Sequence, residues 1–524
     1  MQGIQTEIAV VKRQAHTSEE MLTARTDTRR LAAASRLAPN SKSELGQFMT
    51  PTPVAEFMAT LFSPVTQPEI RLLDPGAGVG SLTAAFLQRI CAQLVRPRRM
   101  TVTAYEIDPG LALSLKATLD DCARTASAAN ILLTYEILPV DFIVHSAEVL
   151  ASPLYVDRLE YTHVIANPPY KKIASTSEHR RLLRSVGIEA TNLYAAFTAL
   201  AIKLLGGNGE LVAITPRSFC NGPYFLPLRK LLLGDMSIRH VHTFEARDVA
   251  FQDDAVLQEN IIFAAIKAPQ TRELRLSSSH GIDLRQIDLR RAEFSEVVHP
   301  GDRDLVIHLP TAHIDLSIVR KIKQLTHSLR DLGIAVSTGP VVDFRLRSYI
   351  HQAAGPSTVP LIYPAHFLQG FVVWPKVNGR KPNAIDDNPA TRKWLMPHGH
   401  YTLTRRFSSK EEKRRIVAAV FDPTDIPTDW IGFENHLNVF HALGHGLSPE
   451  VARGLAIYLN STLVDKYFRQ FNGHTQVNAT DLRSLCYPTL GALSLLGARC
   501  TEFGLPSQEV VDQLVNEIVF GDAQ

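Results

Sequence analysis

The chain has 524 residues, 45% of them hydrophobic, and its 55 Lys and Arg nearly balance 52 Asp and Glu, for a formal net charge of +3. This length and hydrophobic content predict about two to three domains and exclude a peptide-sized binder. The small net charge means that any nucleic-acid contact must come from local basic patches and not from bulk charge.

Cysteine usage and hydrophobic runs indicate the compartment. The five cysteines are scattered and odd in number, with no zinc spacing and no disulfide framework, which predicts a reducing cytoplasm. Residues 1–10 do not have the pattern of a signal peptide, and no stretch approaches the length of a membrane span. We therefore expect a soluble, cytoplasmic protein.

The first predicted element is a helix over residues 18–38, which Pro39 and Asn40 end. We interpret residues 1–40 as an N-terminal helical arm. From residue 41 to residue 268, short apolar strands alternate with helical stretches, and this alternation predicts a largely parallel sheet.

A glycine-rich turn follows the strand predicted at residues 70–73. The sequence Asp-Pro-Gly-Ala-Gly-Val-Gly at residues 74–80 allows a tight turn and a close approach to a ligand, and the helix that follows presents free N–H groups. The next strand, at residues 102–105, ends at Glu106, where a carboxylate commonly accepts ribose hydroxyls. The pattern predicts a nucleoside cofactor site, although the turn alone also fits a dehydrogenase.

The tetrapeptide Asn167-Pro168-Pro169-Tyr170 follows a strand predicted at residues 161–165, where open α/β sheets bind their ligands. An exocyclic ring amine is a poor nucleophile, and two acceptors aimed at its N–H bonds favour the rehybridisation that it needs. Asn167 offers a side-chain oxygen, Pro168 a carbonyl of fixed direction, and Tyr170 a flat face for a planar ring. The alternative is an ordinary loop stiffened by prolines.

Clusters of cations are candidates for phosphate contacts. Lys171 and Lys172 directly follow the tetrapeptide, with three arginines shortly after, at positions 180, 181 and 184. These would stand beside the phosphates of an extruded nucleotide. A second cluster spans residues 405–415, where a solvated helix face is the favoured interpretation of residues 413–415.

The pattern changes after a polar stretch, residues 269–309, that we interpret as a connection with edge strands. Residues 336–345 and 472–478 are polar, glycine-bearing loops suited to reaching base edges or phosphates. His441 and His445 have the spacing of two metal ligands on one helix face. Because Ala442 stands where a zinc hydrolase would carry Glu, we interpret them as loop histidines and predict no metal.

In this order, the motifs resemble the gamma-class, S-adenosylmethionine-dependent DNA amino-methyltransferases of restriction-modification systems, of the PstI and TaqI type. The resemblance is carried by residues 45–51, 74–80, 105–108, 141–142, 167–170, 192–197 and 251–263. It implies an α/β class I methyltransferase fold, Rossmann-like, with a mostly parallel sheet and helices on both faces over residues 41–268. It also implies a C-terminal α+β target-recognition domain over residues 310–524.

The resemblance further implies roles for individual residues. The residues it assigns to S-adenosylmethionine are Thr50, Pro51, Asp74, Gly76, Gly78, Glu106, Ile107, Asp141 and Phe142. Those it assigns to catalysis are Asn167, Pro168, Pro169 and Tyr170, and those it assigns to the target base or DNA are Phe251, Lys171 and Lys172. Phe251 fits a core phenylalanine at a strand entrance equally well.

The expected reaction is methylation of N6 of an adenine flipped out of double-stranded DNA, by the modification enzyme of a type II restriction-modification system. No metal and no membrane is required. The sequence leaves open whether a cognate restriction endonuclease exists and whether the chain is a monomer or a dimer. The alternatives are transfer to cytosine N4, RNA or a protein amide, and a non-catalytic DNA-binding subunit, which the intact tetrapeptide disfavours.

Overall fold

The computed structural model describes residues 21–36, 49–152, 160–244, 259–279, 281, 284, 286–309, 313–377, 379–408, 412–424, 426, 428–472, 476–499 and 504–521. The chain divides into two compact units, Met1–Thr311 and Ala312–Gln524. Among the described residues, no helix combines the length and the apolar character needed to cross a bilayer.

The described strands of the first unit form one nine-stranded sheet. They are β1 (Glu69–Pro75), β2 (Arg99–Tyr105), β3 (Leu132–Leu138), β4 (Tyr161–Ala166), β5 (Leu205–Pro216), β6 (Ser237–Phe244), β7 (Asn260–Ile266), β8 (Glu273–Ser279) and β9 (Asp288–Glu293). The helices are α1 (Leu22–Arg36), α2 (Thr52–Thr60), α3 (Ser81–Cys91), α4 (Pro109–Ala128), α5 (Phe142–Ala151), α6 (Glu178–Ser185), α7 (Leu193–Leu204), α8 (Leu226–Asp235) and α9 (Phe294–Val297). Two short 3-10 helices, Arg217–Cys220 and Pro223–Phe225, follow β5.

The strand order across this sheet is β3-β2-β1-β4-β5-β7-β6-β8-β9. The first five strands are parallel, and β7 is antiparallel to both of its neighbours. The order reverses between β1 and β4, which are hydrogen-bonded neighbours. Such a switch point opens a crevice at the carboxyl ends of the two strands, where α/β sheets bind ligands. The stretch expected as a connection contributes the edge strands β8 and β9.

Both faces of the sheet are covered. Successive residues of β1 point into different cores, because Leu72 packs in one cluster with Phe86 of α3 and Leu73 in another with Leu200 of α7. Parallel strands buried in this way read as continuous apolar runs. The expected α/β fold, with a mostly parallel sheet and helices on both faces, is confirmed.

The junction between α7 and β5 has no separate turn. β5 begins at Leu205, directly after the helix, and runs through Gly206 and Gly207. The pairing with β4 shifts after Tyr161, so the extra residues form a bulge within the strand. Asn208, at φ 61°, supplies the left-handed turn of this bulge.

The second unit is α+β. Its described strands form a six-stranded sheet, in the order β10-β20-β17-β18-β14-β13, and a five-stranded sheet, in the order β11-β15-β12-β19-β16. The bounds are β10 (Ala335–Thr338), β11 (Ile350–His351), β12 (Thr358–Ile362), β13 (Phe367–Leu368), β14 (Phe371–Val372), β15 (Ala384–Asp386), β16 (Leu395–Pro397), β17 (Tyr401–Arg405), β18 (Ala418–Phe421), β19 (Trp430–Phe433) and β20 (Leu437–His441). The helices are α10 (His313–Ile322), α11 (Pro449–Leu459), α12 (Thr462–Phe471), α13 (Ala479–Arg483), α14 (Leu490–Ala498) and α15 (Gln508–Phe520).

Candidate active site

A cavity of about 370 Å³ opens at the carboxyl ends of β1, β2 and β4 in the first unit. This volume lies within the range of small-molecule sites. The residues with a sequence-predicted role that line it are Thr50, Gly76, Gly78, Glu106, Ile107, Asp141, Phe142, Asn167, Pro169, Lys171 and Lys172. Motifs from five separate parts of the chain therefore meet at the crevice that the strand order creates.

The glycine turn forms one wall of the cavity. Gly76, Gly78 and Gly80 have φ values of 76°, 58° and 88°, a conformation that side chains other than glycine strongly disfavour. Gly80 also lies against α4, since a Cβ built there would stand 2.9 Å from the Leu115 side chain. The backbone of the turn thus faces the cavity without side chains at Gly76 and Gly78.

Asp74 lies behind this turn and does not line the cavity. Its side chain is fully buried, and its Oδ2 accepts a hydrogen bond of 2.7 Å from the Thr83 hydroxyl. Oδ1 is buried and has no hydrogen-bond partner among the described residues. Burial raises the pKa of Asp74 to about 7. The geometry makes Asp74 a support for the turn at the start of α3.

Glu106 bridges the glycine turn and the loop after β2. One carboxylate oxygen accepts the Gly78 N–H at 2.9 Å and the other accepts the Asp108 N–H at 2.8 Å. Glu106 is 3% exposed, and burial raises its pKa above the usual value. Because each oxygen keeps a second lone pair, this carboxylate is suited to accept two neighbouring hydroxyls.

Apolar side chains stand beside Glu106. Ile107 and Val140 line the cavity and are 49% and 40% exposed. Phe142 is almost fully buried and packs edge-on against the Tyr105 ring at 4.9 Å. Exposed apolar side chains beside a carboxylate fit a ligand that has a flat ring and a polar sugar.

Asp141 begins α5 and has several partners. Its Oδ1 accepts the Ile143 and Val144 N–H groups, which caps the helix, and its Oδ2 lies 3.1 Å from His179 Nε2. Burial opposes ionisation of Asp141, but these hydrogen bonds lower its pKa overall. The same contact raises the pKa of His179. Asp141 therefore links the cavity wall to α6.

Asn167 projects from the end of β4 into the cavity. Its side-chain N–H donates to the Thr50 hydroxyl at 3.0 Å, and its side-chain oxygen accepts from the Tyr170 hydroxyl at 3.3 Å. Thr50 is 4% exposed and immediately precedes Pro51, the N-cap of α2. In this structure the amide nitrogen therefore faces Thr50 and the amide oxygen faces Tyr170.

Tyr170 belongs to a chain of aromatic rings. It lies edge-to-face on Tyr194 at 6.2 Å, and Tyr194 stacks on Phe225 at 5.7 Å. Tyr194 in turn shares a 2.8 Å hydrogen bond with Ser218. Tyr170 is partly buried and packs against both hydrophobic cores of the unit, and these contacts hold its ring in position.

The structure does not bring all predicted residues to the cavity. Pro51, Asp74, Pro168 and Tyr170 are absent from its lining. Phe251 lies outside the described residues, so its predicted role stays untested. Lys171 and Lys172 are exposed at the cavity, whereas the arginines at positions 180, 181 and 184 form ion pairs with Glu178 or Glu189.

Sequence analysis assigned no role to several lining residues, among them Met49, Val140, His179 and Phe197. Phe197 falls within the motif at residues 192–197, so a signal for it existed. Val140 and His179 stand in no motif, because only the fold places their segments over the glycine turn.

Comparison with known proteins gives consistent results. Residues 125–251 match the family described as Eco57I restriction-modification methylase. The chain is 46% identical to Type II methyltransferase M.BsuBI of Bacillus subtilis over 496 residues, 93% of this chain and 97% of that protein. It is also 46% identical to Type II methyltransferase M.PstI of Providencia stuartii over 493 residues, 94% of this chain and 96% of that protein.

Among solved structures, the Type IIL restriction-modification enzyme MmeI in complex with DNA aligns with 96% of this chain and 74% of its own. The TM-score is 0.50 at 12% sequence identity. A similarity at this level of identity shows a shared fold.

Proposed function

Because this chain belongs to the type II methyltransferases of restriction-modification systems, we propose that it transfers a methyl group from S-adenosylmethionine to N6 of an adenine in double-stranded DNA. The gamma-class order of motifs supports this proposal, since the glycine turn precedes the tetrapeptide and a long C-terminal unit follows both. In this scheme the first unit carries out catalysis and the second recognises DNA.

One observation carries the proposal. The Asn167 amide, held by Thr50, lines the same cavity as Gly76, Gly78 and Glu106. A cofactor bound along the glycine turn would therefore place its reactive end close to an amide oxygen. Enzymes that act by positioning need this convergence of a bound donor and an oriented nucleophile.

The residues present fit S-adenosylmethionine. Glu106 offers acceptors for a ribose diol, and Ile107 and Val140 offer apolar contacts for an adenine ring. Asp141 offers a carboxylate for an exocyclic amine, although in this structure that oxygen is bonded to His179. When bound, S-adenosylmethionine supplies an electrophilic methyl group on a sulfonium sulfur.

The chain's own residues would bind and orient the target amine. Asn167 Oδ1 accepts one N–H of the amine, in exchange for the long hydrogen bond from Tyr170. The carbonyl of Pro168 accepts the second, and the following Pro169 restricts the ψ angle that sets the direction of this carbonyl. Both acceptors favour rehybridisation of the nitrogen as it attacks.

Tyr170 would stack on the extruded base. Its edge-to-face contact with Tyr194 holds the ring in place before the base arrives. A base that leaves the duplex loses stacking and pairing worth a few kcal/mol, and stacking on an aromatic ring offsets part of that cost. Phe251 remains the proposed second contact with the base.

The test uses the purified full-length chain, a labelled methyl donor and a panel of DNA duplexes. Incorporation into duplex DNA, followed by digestion to nucleosides, identifies N6-methyladenine or N4-methylcytosine. Incorporation into RNA or protein alone would contradict the proposal, and so would the absence of any transfer. We expect Asn167→Ala to abolish transfer while the cofactor still binds and the melting temperature is unchanged.

A further inference from the structure

One stretch of the second unit has an excess of positive over negative side chains. Residues 343–381 contain five Lys and Arg and a single Asp, in a chain whose charges otherwise nearly balance. These five cations, at positions 345, 347, 376, 380 and 381, are all exposed. A local basic surface of this kind is what a nearly neutral protein needs to bind a polyanion.

In the basic cluster predicted at residues 405–415, three arginines are built into the protein. Arg415 is fully buried and donates to the Asn472 side chain at 2.8 Å. Arg414 donates to the Asn460 carbonyl, and Arg406 donates to the Asn435 carbonyl at 3.0 Å. Their guanidinium groups therefore hold loops together, which leaves the 343–381 stretch as the stronger candidate.

Two loops carry the exposed cations. We call residues 343–347, 376–377 and 379–381 the basic loop pair. Lys381 joins the two loops, since its Nζ lies 3.5 Å from an Asp343 carboxylate oxygen and 4.9 Å from the Tyr363 ring centre. The cations of both loops therefore share one surface of the second unit.

Asn383 holds the second loop in place through neutral groups. Its side-chain oxygen accepts the Lys376 N–H at 2.8 Å, and its side-chain N–H donates to the Gln352 carbonyl at 3.0 Å. Gln352 in turn donates to the Gly379 carbonyl at 2.8 Å. The loop is thus ordered without the Arg380 guanidinium, which reduces the entropy cost of binding.

Apolar side chains stand among these cations. Phe344 is 62% exposed and Val377 is 79% exposed. The Arg345 guanidinium lies over the Phe344 ring at 5.4 Å from its centre. Exposed aromatic and apolar groups within a basic surface suit nucleic acid, since cations bind phosphates while apolar groups contact sugars and base edges.

We propose that the basic loop pair is the surface with which the second unit contacts double-stranded DNA. Its arginines bind phosphates of the DNA backbone. Phe344 and Val377 contact the DNA groove that lies between these phosphates. This inference rests on the proposed function, because it takes duplex DNA as the substrate. Beyond the proposed function, the basic loop pair is named as the part of the second unit that contacts the phosphates.

The test is a triple variant, R345Q/R347Q/R380Q, compared with wild type in duplex DNA binding from low to moderate salt. None of these side chains makes an ion pair with a described residue, so the fold should be kept. We expect the dissociation constant of the triple variant for duplex DNA to be at least tenfold larger than that of wild type. In a plot of the logarithm of the association constant against the logarithm of the salt concentration, the magnitude of the slope should decrease by about two to three. Each lost phosphate contact accounts for about 0.9 of this decrease.

The matched control is R330Q/K466Q/R499Q, which removes three other exposed cations of the same unit. It should retain the wild-type affinity and salt slope, and both variants should keep wild-type affinity for S-adenosylmethionine. If the two triple variants bind duplex DNA alike, the inference is overturned while the proposed function stands. If the wild-type chain neither binds nor methylates duplex DNA, the proposed function fails and this inference fails with it.

A second variant tests the apolar part of the surface. Phe344→Ala should weaken duplex binding severalfold at every salt concentration and leave the salt slope unchanged, because no charge is removed. If the wild-type chain bound single-stranded RNA with higher affinity than duplex DNA, the surface would belong to a different nucleic acid. That result would contradict the proposal.

Discussion

The Thr50 hydroxyl accepts a 3.0 Å hydrogen bond from the Asn167 side-chain amide, between residues 117 positions apart in the sequence. Thr50 belongs to the motif before α2, whereas Asn167 directly follows β4. An amide whose N–H is held in this way presents its oxygen in one orientation. The bond therefore supports a positioning role for Thr50, whereas its contact with S-adenosylmethionine stays a prediction from the resemblance.

Thr50→Val tests this positioning role. Valine keeps the shape of threonine and loses the hydroxyl, so the Asn167 amide becomes free to rotate. We expect kcat to fall by about twofold to tenfold, as when one neutral hydrogen bond of roughly 0.5–1.5 kcal/mol is lost, with little change in the KM for S-adenosylmethionine. Thr50→Ser should restore kcat. A large rise in KM with unchanged kcat would instead assign Thr50 to cofactor binding.

Glu106→Gln tests the carboxylate beside the glycine turn. Glutamine has only one acceptor oxygen, so it cannot accept the Gly78 and Asp108 N–H groups and two ribose hydroxyls together. We expect the dissociation constant for S-adenosylmethionine, measured by calorimetry, to rise tenfold or more. Glu136→Ala, which removes an exposed carboxylate on β3, is the control. Equal affinities for the two variants would show that Glu106 does not contact the cofactor.

Two buried histidines predict loss of stability in acid. His240 and His242 hydrogen-bond to the Ser277 hydroxyl from β6, and burial lowers their pKa values to about 3 and about 4 from 6.5. Between these lowered pKa values and pH 6.5, the unfolded chain therefore binds more protons than the folded chain. Stability is complete above pH 6.5 and is lost as the pH falls, by about 2 kcal/mol for each histidine at pH 5.

Urea unfolding at pH 7.5 and pH 5.0 measures this loss. In H240Q/H242Q the decrease in unfolding free energy between the two pH values should be smaller than in wild type by about 4 kcal/mol. His445→Gln removes an exposed histidine and should leave the decrease unchanged. Identical pH dependence of wild type and the double variant would disprove the assignment.

A strained hairpin predicts a stabilising substitution. Leu443 has a φ of 49° and is 90% exposed, and it precedes Gly444 in the turn that joins Ala442 to His445. Turns of this kind favour Asn or Gly at such a position, and leucine costs about 1 kcal/mol there. Leu443→Asn should raise the unfolding free energy by about that amount. Leu443→Ala keeps the Cβ and should give no gain, so equal gains would contradict the strain.

The sequence could predict the parts of the site that a single strand end determines. Gly76 and Gly78 need a left-handed backbone wherever they occur, and a rigid Asn167-Pro168 step after an apolar strand has few structural uses. Parallel strands bring their carboxyl ends to one edge, so these motifs had to meet. The exposure of residues such as Arg415 had no local signal, because burial of an arginine depends on distant partners such as Asn472.

The sequence by itself determined the chemistry of the site, because the residue types and their order along alternating strands and helices are local properties. Only the tertiary structure decided which groups orient one another. Thr50 reaches Asn167, His179 reaches Asp141, and Lys381 joins its loop to Asp343. Each of these contacts joins residues far apart in the chain, and a hydrogen bond at about 3 Å depends on the packing of whole elements that no short motif encodes.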